Sequence, residues 1–159
     1  MSGGENADSH QEGTAHAAQY VATGTGAVGQ LWIYLVTPSE TSQLVVGLYT
    51  DNQGHPGTLL ANATIDSPDN SNAWNHAPAI PVGDAQAVSV ITGQLYWIAA
   101  LSPEGNGVVD FGWNYETGYL WEHSESMVLS ALPNTWVSPT PVTSSNTGVG
   151  TVVQFCASP

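Results

Sequence analysis

The stretch Leu31-Trp32-Ile33-Tyr34-Leu35-Val36 decides how this chain folds. It is short, aromatic and β-branched, which are the marks of a strand rather than a helix. It is also apolar on both faces. Such a run suits a central strand of a two-sheet sandwich, where one face packs inward and the other is covered or used. Leu95-Tyr96-Trp97-Ile98-Ala99-Ala100 is a second run of the same kind. Outward from these two, short apolar or alternating runs are cut by Gly, Pro, Asn and Asp about every 8–12 residues. Strands are expected near 17–22, 29–36, 43–50, 58–65, 86–91, 94–101, 107–115, 119–123, 126–131 and 149–156. No segment sustains the i, i+3, i+4, i+7 pattern of an amphipathic helix. The reading is all-β: an antiparallel two-sheet β-sandwich, jelly-roll-like in form. Residues 1–15 read as a flexible acidic lead-in and 16–159 as one β-sandwich domain, with 133–148 a long loop or extended edge.

The chain of 159 residues contains no Lys or Arg, against 13 acidic residues. Ordinary usage would give roughly 16 basic residues, so their absence is selected or designed rather than accidental. It excludes counterion-releasing contacts to nucleic acid, basic patches for anionic membranes and lysine-dependent phosphate or Schiff-base chemistry. The carboxylates must be solvated, bonded by N–H groups, paired with His, or neutralised by cations such as Ca²⁺. Cys156 is the single cysteine and forms no internal disulfide. The first ten residues are polar, with no apolar or basic leader. The low charge and the Thr, Ser, Asn and Gln content point to a secreted or extracellular setting.

Between Val46 and Leu60 the chain reads Val-Gly-Leu-Tyr-Thr-Asp-Asn-Gln-Gly-His-Pro-Gly-Thr-Leu-Leu. This is a strand, a tight turn and a return strand. Together with Trp74 and Gly93-Gln94-Leu95-Tyr96-Trp97-Ile98-Ala99, it resembles a pattern in bacterial secreted β-sandwich domains, including choice-of-anchor and carbohydrate-binding-module-like domains. The resemblance spans roughly residues 20–115. It implies a β-sandwich serving as a binding or spacer module, and it brings no catalytic set. Gly54 and Gly57 are expected to supply turn conformations, with Pro56 pre-setting φ. Asp51 is either part of that turn chemistry or a ligand in a structural Ca²⁺ loop; its spacing is not that of an EF-hand. No other cofactor is implied.

The sharpest local pattern is Phe111-Gly112-Trp113-Asn114-Tyr115-Glu116-Thr117-Gly118-Tyr119-Leu120-Trp121. Glu-Thr-Gly suits a three-residue hairpin loop. That register would pair Tyr115 with Tyr119 and Trp113 with Trp121, placing all four rings on one face. The face is either core or an aromatic platform for pyranose stacking, with Asn114 and Glu116 reaching hydroxyls. Trp74 is a further sugar contact or a rim residue. Trp136, in a Pro-bracketed loop, is a plug over the core or an exposed anchor. Of His10, His16, His55, His76 and His123, the first two flank Glu12 as a weak Zn²⁺ or Cu²⁺ pair without metal-site spacing, and the alternative reading is of solvated histidines.

There is no Gly-x-Ser-x-Gly elbow and no His-Glu-x-x-His, so a non-catalytic protein is expected. The leading reading is an extracellular, lectin-like carbohydrate-binding module whose partner is a polysaccharide or glycan, not nucleic acid or membrane. The alternative is a structural or adhesive subunit of an extracellular assembly or filament, self-associating through its N-terminal segment.

Overall fold

A computed structural model describes residues 6–36, 39–114, 120–139 and 150–151, with the backbone alone for 6–9, 111–114 and 150–151. Among the described residues there is no helix. The strands are β1 Asn6–His10, β2 Ala15–Val21, β3 Gly26–Ala27, β4 Gln30–Leu35, β5 Gln43–Asp51, β6 Pro56–Asp66, β7 Ala73–Pro78, β8 Ile80–Pro81, β9 Ser89–Val90, β10 Leu95–Leu101, β11 Val109–Asn114, β12 Trp121–His123 and β13 Gly150–Thr151. One sheet runs β1-β11-β4-β7, with β13 also on β11; the second runs β12-β2-β10-β5-β6-β8; β3 and β9 form a small ribbon. The pairings are antiparallel, as the sequence pattern requires.

The main core lies between the two sheets. Leu31, Ile33 and Leu35 from β4 meet Leu44, Val46 and Leu48 from β5, Ala61, Ala63 and Ile65 from β6, and Ile98 from β10. Each fully buried Leu or Ile here contributes about 1.5–3 kcal/mol relative to exposure. A second cluster covers the opposite face of the second sheet. Tyr49, Leu59, Trp97, Ala99 and Leu101 pack under Leu132 and Trp136 of the segment that follows β12. That segment is tied down by Tyr49 Oη donating to Pro133 O at 2.8 Å and by a bridge between Thr58 and Thr135. The two-sided apolarity of β10 is thereby explained: the second sheet is a middle layer, with the first sheet on one side and a loop on the other.

Several expectations are revised. Residues 126–131 form part of the covering loop rather than a strand, because Leu129 is needed against the second cluster. Ala73–Pro78, outside the expected strands, is strand β7 along all of β4. Asn6–His10, inside the segment read as a lead-in, pairs with β11 of its own sheet. Gly54 does take a left-handed φ of 85° in the β5–β6 turn. Gly57 serves a different purpose, because a Cβ there would lie 2.5 Å from Thr50 Oγ1.

Candidate functional site

In β4, buried and half-buried residues alternate, so Leu31, Ile33 and Leu35 face the core while Trp32 and Tyr34 face away from it. β7 pairs with β4 in a register that sets His76 opposite Trp32 and Trp74 opposite Tyr34. Cross-strand neighbours share a face, and the rings meet. Trp32 and His76 stack at 4.0 Å between centroids with a 26° interplanar angle; Tyr34 and Trp74 meet edge-on at 5.4 Å. The result is a strip of four aromatic rings, two pairs deep, on the outer face of the first sheet. Trp74 is 41% exposed and His76 is also exposed.

The inward side of β7 explains why this edge strand holds its place. Asn75 is buried; its side chain accepts from Asp69 N at 2.7 Å and donates to Asp69 O at 2.9 Å and Ala73 O at 3.2 Å. It braces the loop that precedes β7. In that loop Ser71 donates from its backbone N and its hydroxyl to Asp69 Oδ1, and these bonds hold the Asp69 carboxyl below the usual carboxylate range. The loop leading to Trp74 thus carries an ionised carboxylate. Aromatic faces with nearby polar groups are the surface that pyranose rings use, apolar C–H faces on the rings and hydroxyls to the polar groups.

The outer face of the second sheet carries two hydrogen-bonded carboxylates, the half-buried Asp51 and the fully buried Glu122. Asp51 Oδ1 accepts from Trp97 Nε1 at 2.8 Å and Gln19 Nε2 at 2.7 Å, and Oδ2 accepts from Gly54 N at 3.2 Å. Burial pushes this carboxyl up, but the bonds from Trp97, Gln19 and Gly54, with His55 nearby, win and lower it. Glu122 is fully buried. Its Oε1 accepts from Trp136 Nε1 at 2.8 Å and from the Ser138 hydroxyl, and its Oε2 meets His55 Nδ1 at 2.7 Å. The Asp51–His55 turn thus carries two functions in the fold, an acceptor for the sheet and a partner for Glu122.

The residues expected from sequence fall as follows. Trp113 and Asn114 lie on β11 in the first sheet, where Trp113 pairs with Asn6 and Thr151. Trp121 lies on β12 in the second sheet, opposite Ala18, and is half-buried. The pairing of Trp113 with Trp121 is therefore not formed. The Glu-Thr-Gly signal is local, whereas β12 adds to the edge of the second sheet through a long-range pairing with β2. Tyr115, Glu116 and Tyr119 lie outside the described residues. Asp51 is engaged by three N–H donors, and among the described residues no group of three His, Cys, Asp or Glu is arranged to hold a metal ion. Trp136 is a plug, 6% exposed and edge-on to Tyr49. Trp74 is exposed, as a binding role requires. Trp32, Tyr34 and His76 were not singled out from sequence, although the alternation within Leu31–Leu35 already sets Trp32 and Tyr34 apart from the three aliphatic residues. Against models of known protein families and against curated protein sequences, the chain matches none.

Proposed function

We propose that this protein is a non-catalytic, extracellular glycan-binding module, and that its site is the strip Trp32, Tyr34, Trp74 and His76. One observation carries the reading. Four rings are grouped on the single sheet face that neither core cluster uses, with Trp74 held out to solvent by a buried Asn75 beneath it. Successive same-face residues along a strand lie roughly 7 Å apart, so the two ring pairs make an elongated surface suited to a chain of sugars rather than one. The charge selects among glycans. A formal net charge of -13 without one Lys or Arg repels uronate or sulfated polymers, so the ligand is a neutral polysaccharide.

Trp74→Ala tests this on a panel of neutral and acidic polysaccharides, by affinity electrophoresis and calorimetry. Removing one stacked ring costs on the order of 1–3 kcal/mol, by analogy with bases stacked on aromatic side chains. A loss of affinity of about tenfold or more is expected with the circular dichroism unchanged, because Trp74 packs outside both core clusters. Equal binding by parent and variant, or no binding by the parent to any neutral polymer, would refute the proposal.

A further inference from the structure

Asn106-Gly107 is the one Asn-Gly pair in the chain, and it lies in the loop between β10 and β11. Such a pair carries its own electrophile and nucleophile. The glycine nitrogen can close on the asparagine side-chain carbonyl to form a cyclic imide, because the glycine has no Cβ to obstruct the approach. In an ordinary loop the closure is slow, since an amide N–H is a weak nucleophile until a base takes its proton. Here the fold sets a carboxylate at the nucleophile and a hydroxyl at the electrophile.

Glu12, in the turn between β1 and β2, accepts from Gly107 N through Oε2 at 2.7 Å. That is hydrogen-bond reach of the proton to be removed, the geometric requirement on a general base. Ser42, just before β5, donates from its hydroxyl to Asn106 Oδ1 at 2.8 Å and, at 3.3 Å, to Asn106 O. A donor on Oδ1 stabilises the negative charge that builds there as the nitrogen adds. Asn106 Nδ2 donates to Pro103 O at 3.2 Å, which fixes the half-buried side chain with Oδ1 toward Ser42. Gly107 is held as well: buried Ser102 donates to its carbonyl at 2.6 Å, and its φ is 92°. Glu12, Ser42 and Asn106 come from three separate segments, so unfolding disperses them together.

We propose that Asn106-Gly107 is an autocatalytic deamidation site, with Glu12 as its general base and Ser42 as the donor to the developing oxyanion. Glu12 takes the proton of Gly107 N as that nitrogen bonds to Asn106 Cγ. The proton passes to Nδ2, the Cγ–Nδ2 bond breaks and ammonia leaves. Water then opens the imide at either carbonyl, leaving an aspartyl or isoaspartyl residue at position 106. One amide is exchanged for one carboxylate, and nothing is oxidised or reduced. The new charge appears beside a cavity lined by Glu12, Glu40 and Glu104, in a chain without Lys or Arg to pair it. The isoaspartyl form also reroutes the main chain between two bonds that tie this loop to the start of β5, Ser42 N to Asn106 O at 2.8 Å and Glu40 N to Val108 O at 2.9 Å. Ageing of the folded protein thereby loosens one end of the sandwich.

The test is incubation in warm neutral buffer, with peptic peptides spanning residues 102–110 read by mass spectrometry for conversion of amide to acid and by chromatography for the isoaspartyl isomer. The folded parent should convert at least about tenfold faster than the same chain unfolded in urea, since a positioned base supplies roughly 100-fold or more. Glu12→Gln keeps an acceptor for Gly107 N but cannot take its proton, and should slow the folded rate at least about tenfold with the circular dichroism unchanged. A folded rate at or below the unfolded rate, or an unchanged rate in Glu12→Gln, would overturn the proposal. Should Glu12→Gln fail to fold, Ser42→Ala decides on the exposed Ser42: a fall of about tenfold or more supports the site, and an unchanged rate refutes it.

Discussion

Glu122 offers the sharpest test of how this chain stabilises itself without Lys or Arg. Among the described residues it is the largest fully buried acid, and it joins three pieces: β12, the β5–β6 turn through His55, and the covering loop through Trp136 and Ser138. In Glu122→Ala the Trp136 indole N–H is left buried without an acceptor, which costs about 1–3 kcal/mol. Ser138 loses a bond to a charged group but is near enough to the surface for water to replace most of it. The His55 side chain is 39% exposed and returns to water, so its share is that of a surface pair, about 0–1 kcal/mol. Recovering the cost of burying the carboxylate offsets part of these losses. The expected net loss is about 1–3 kcal/mol, a large share of the roughly 5–15 kcal/mol that holds a domain together.

The assay is urea unfolding followed by far-ultraviolet circular dichroism, run as a double-mutant cycle. Trp136→Phe deletes the donor and keeps most of the ring; Glu122→Ala deletes the acceptor; the double variant closes the cycle. A hydrogen bond to a charged group should appear as about 1.5–3 kcal/mol of coupling. Glu122→Gln retains an acceptor for Trp136 and should recover more than half of the Ala loss. A coupling below about 0.5 kcal/mol would show that the covering loop is held by apolar contact alone and that the carboxylate is incidental.

Two further outcomes follow from backbone geometry and from charge. Gly107 has φ of 92°, and a Cβ there would lie 2.8 Å from Glu40 O, a backbone atom that cannot step aside, so Gly107→Ala should lower stability by about 1–3 kcal/mol in the same urea assay. Thirteen acids without basic partners repel one another, so the melting temperature should rise between 0.01 and 0.5 M NaCl, where the Debye length falls from about 30 Å to a few Å. An added rise with Ca²⁺ over Mg²⁺ at equal ionic strength would indicate a coordinated ion rather than screening, against the Asp51 geometry.

Much of the fold is legible in local pattern. The runs at 31–36 and 95–100, the Asp-Asn-Gln-Gly turn and the spacing of breakers are properties of short segments, and they return as β4, β10 and the β5–β6 hairpin. What the pattern hides is partnership. Trp113 and Trp121 look like neighbours because a good turn sequence separates them; they belong to different sheets because β2 offers β12 a longer-range partner. Trp74 and His76 look like loop residues because Asn75 and the preceding Asp, Ser and Asn read as turn formers. Asn75 is instead a buried brace whose polar atoms are all used by the loop. The strip therefore required a register, Tyr34 opposite Trp74, that periodicity within either strand cannot supply.

The absence of Lys and Arg links the interior to the surface. The half-buried Asp51 and the buried Glu122 are satisfied by donors that carry no full charge, indole N–H, amide N–H, hydroxyl and backbone N–H, with His55 the one titratable exception. A neutral donor set gives up the ion-pair Coulomb term but avoids desolvating a second charge, so a buried carboxylate such as Glu122 costs less than a buried salt bridge with imperfect geometry. Outside, nothing offsets the acids, and an anionic partner of any kind is disfavoured at long range. Under those conditions a recognition surface has to act at contact distance and without charge. Stacking on aromatic faces meets both demands, and the outer face of the first sheet carries four rings, whereas Trp97 of the second sheet is committed beneath the covering loop and Trp136 is part of that loop.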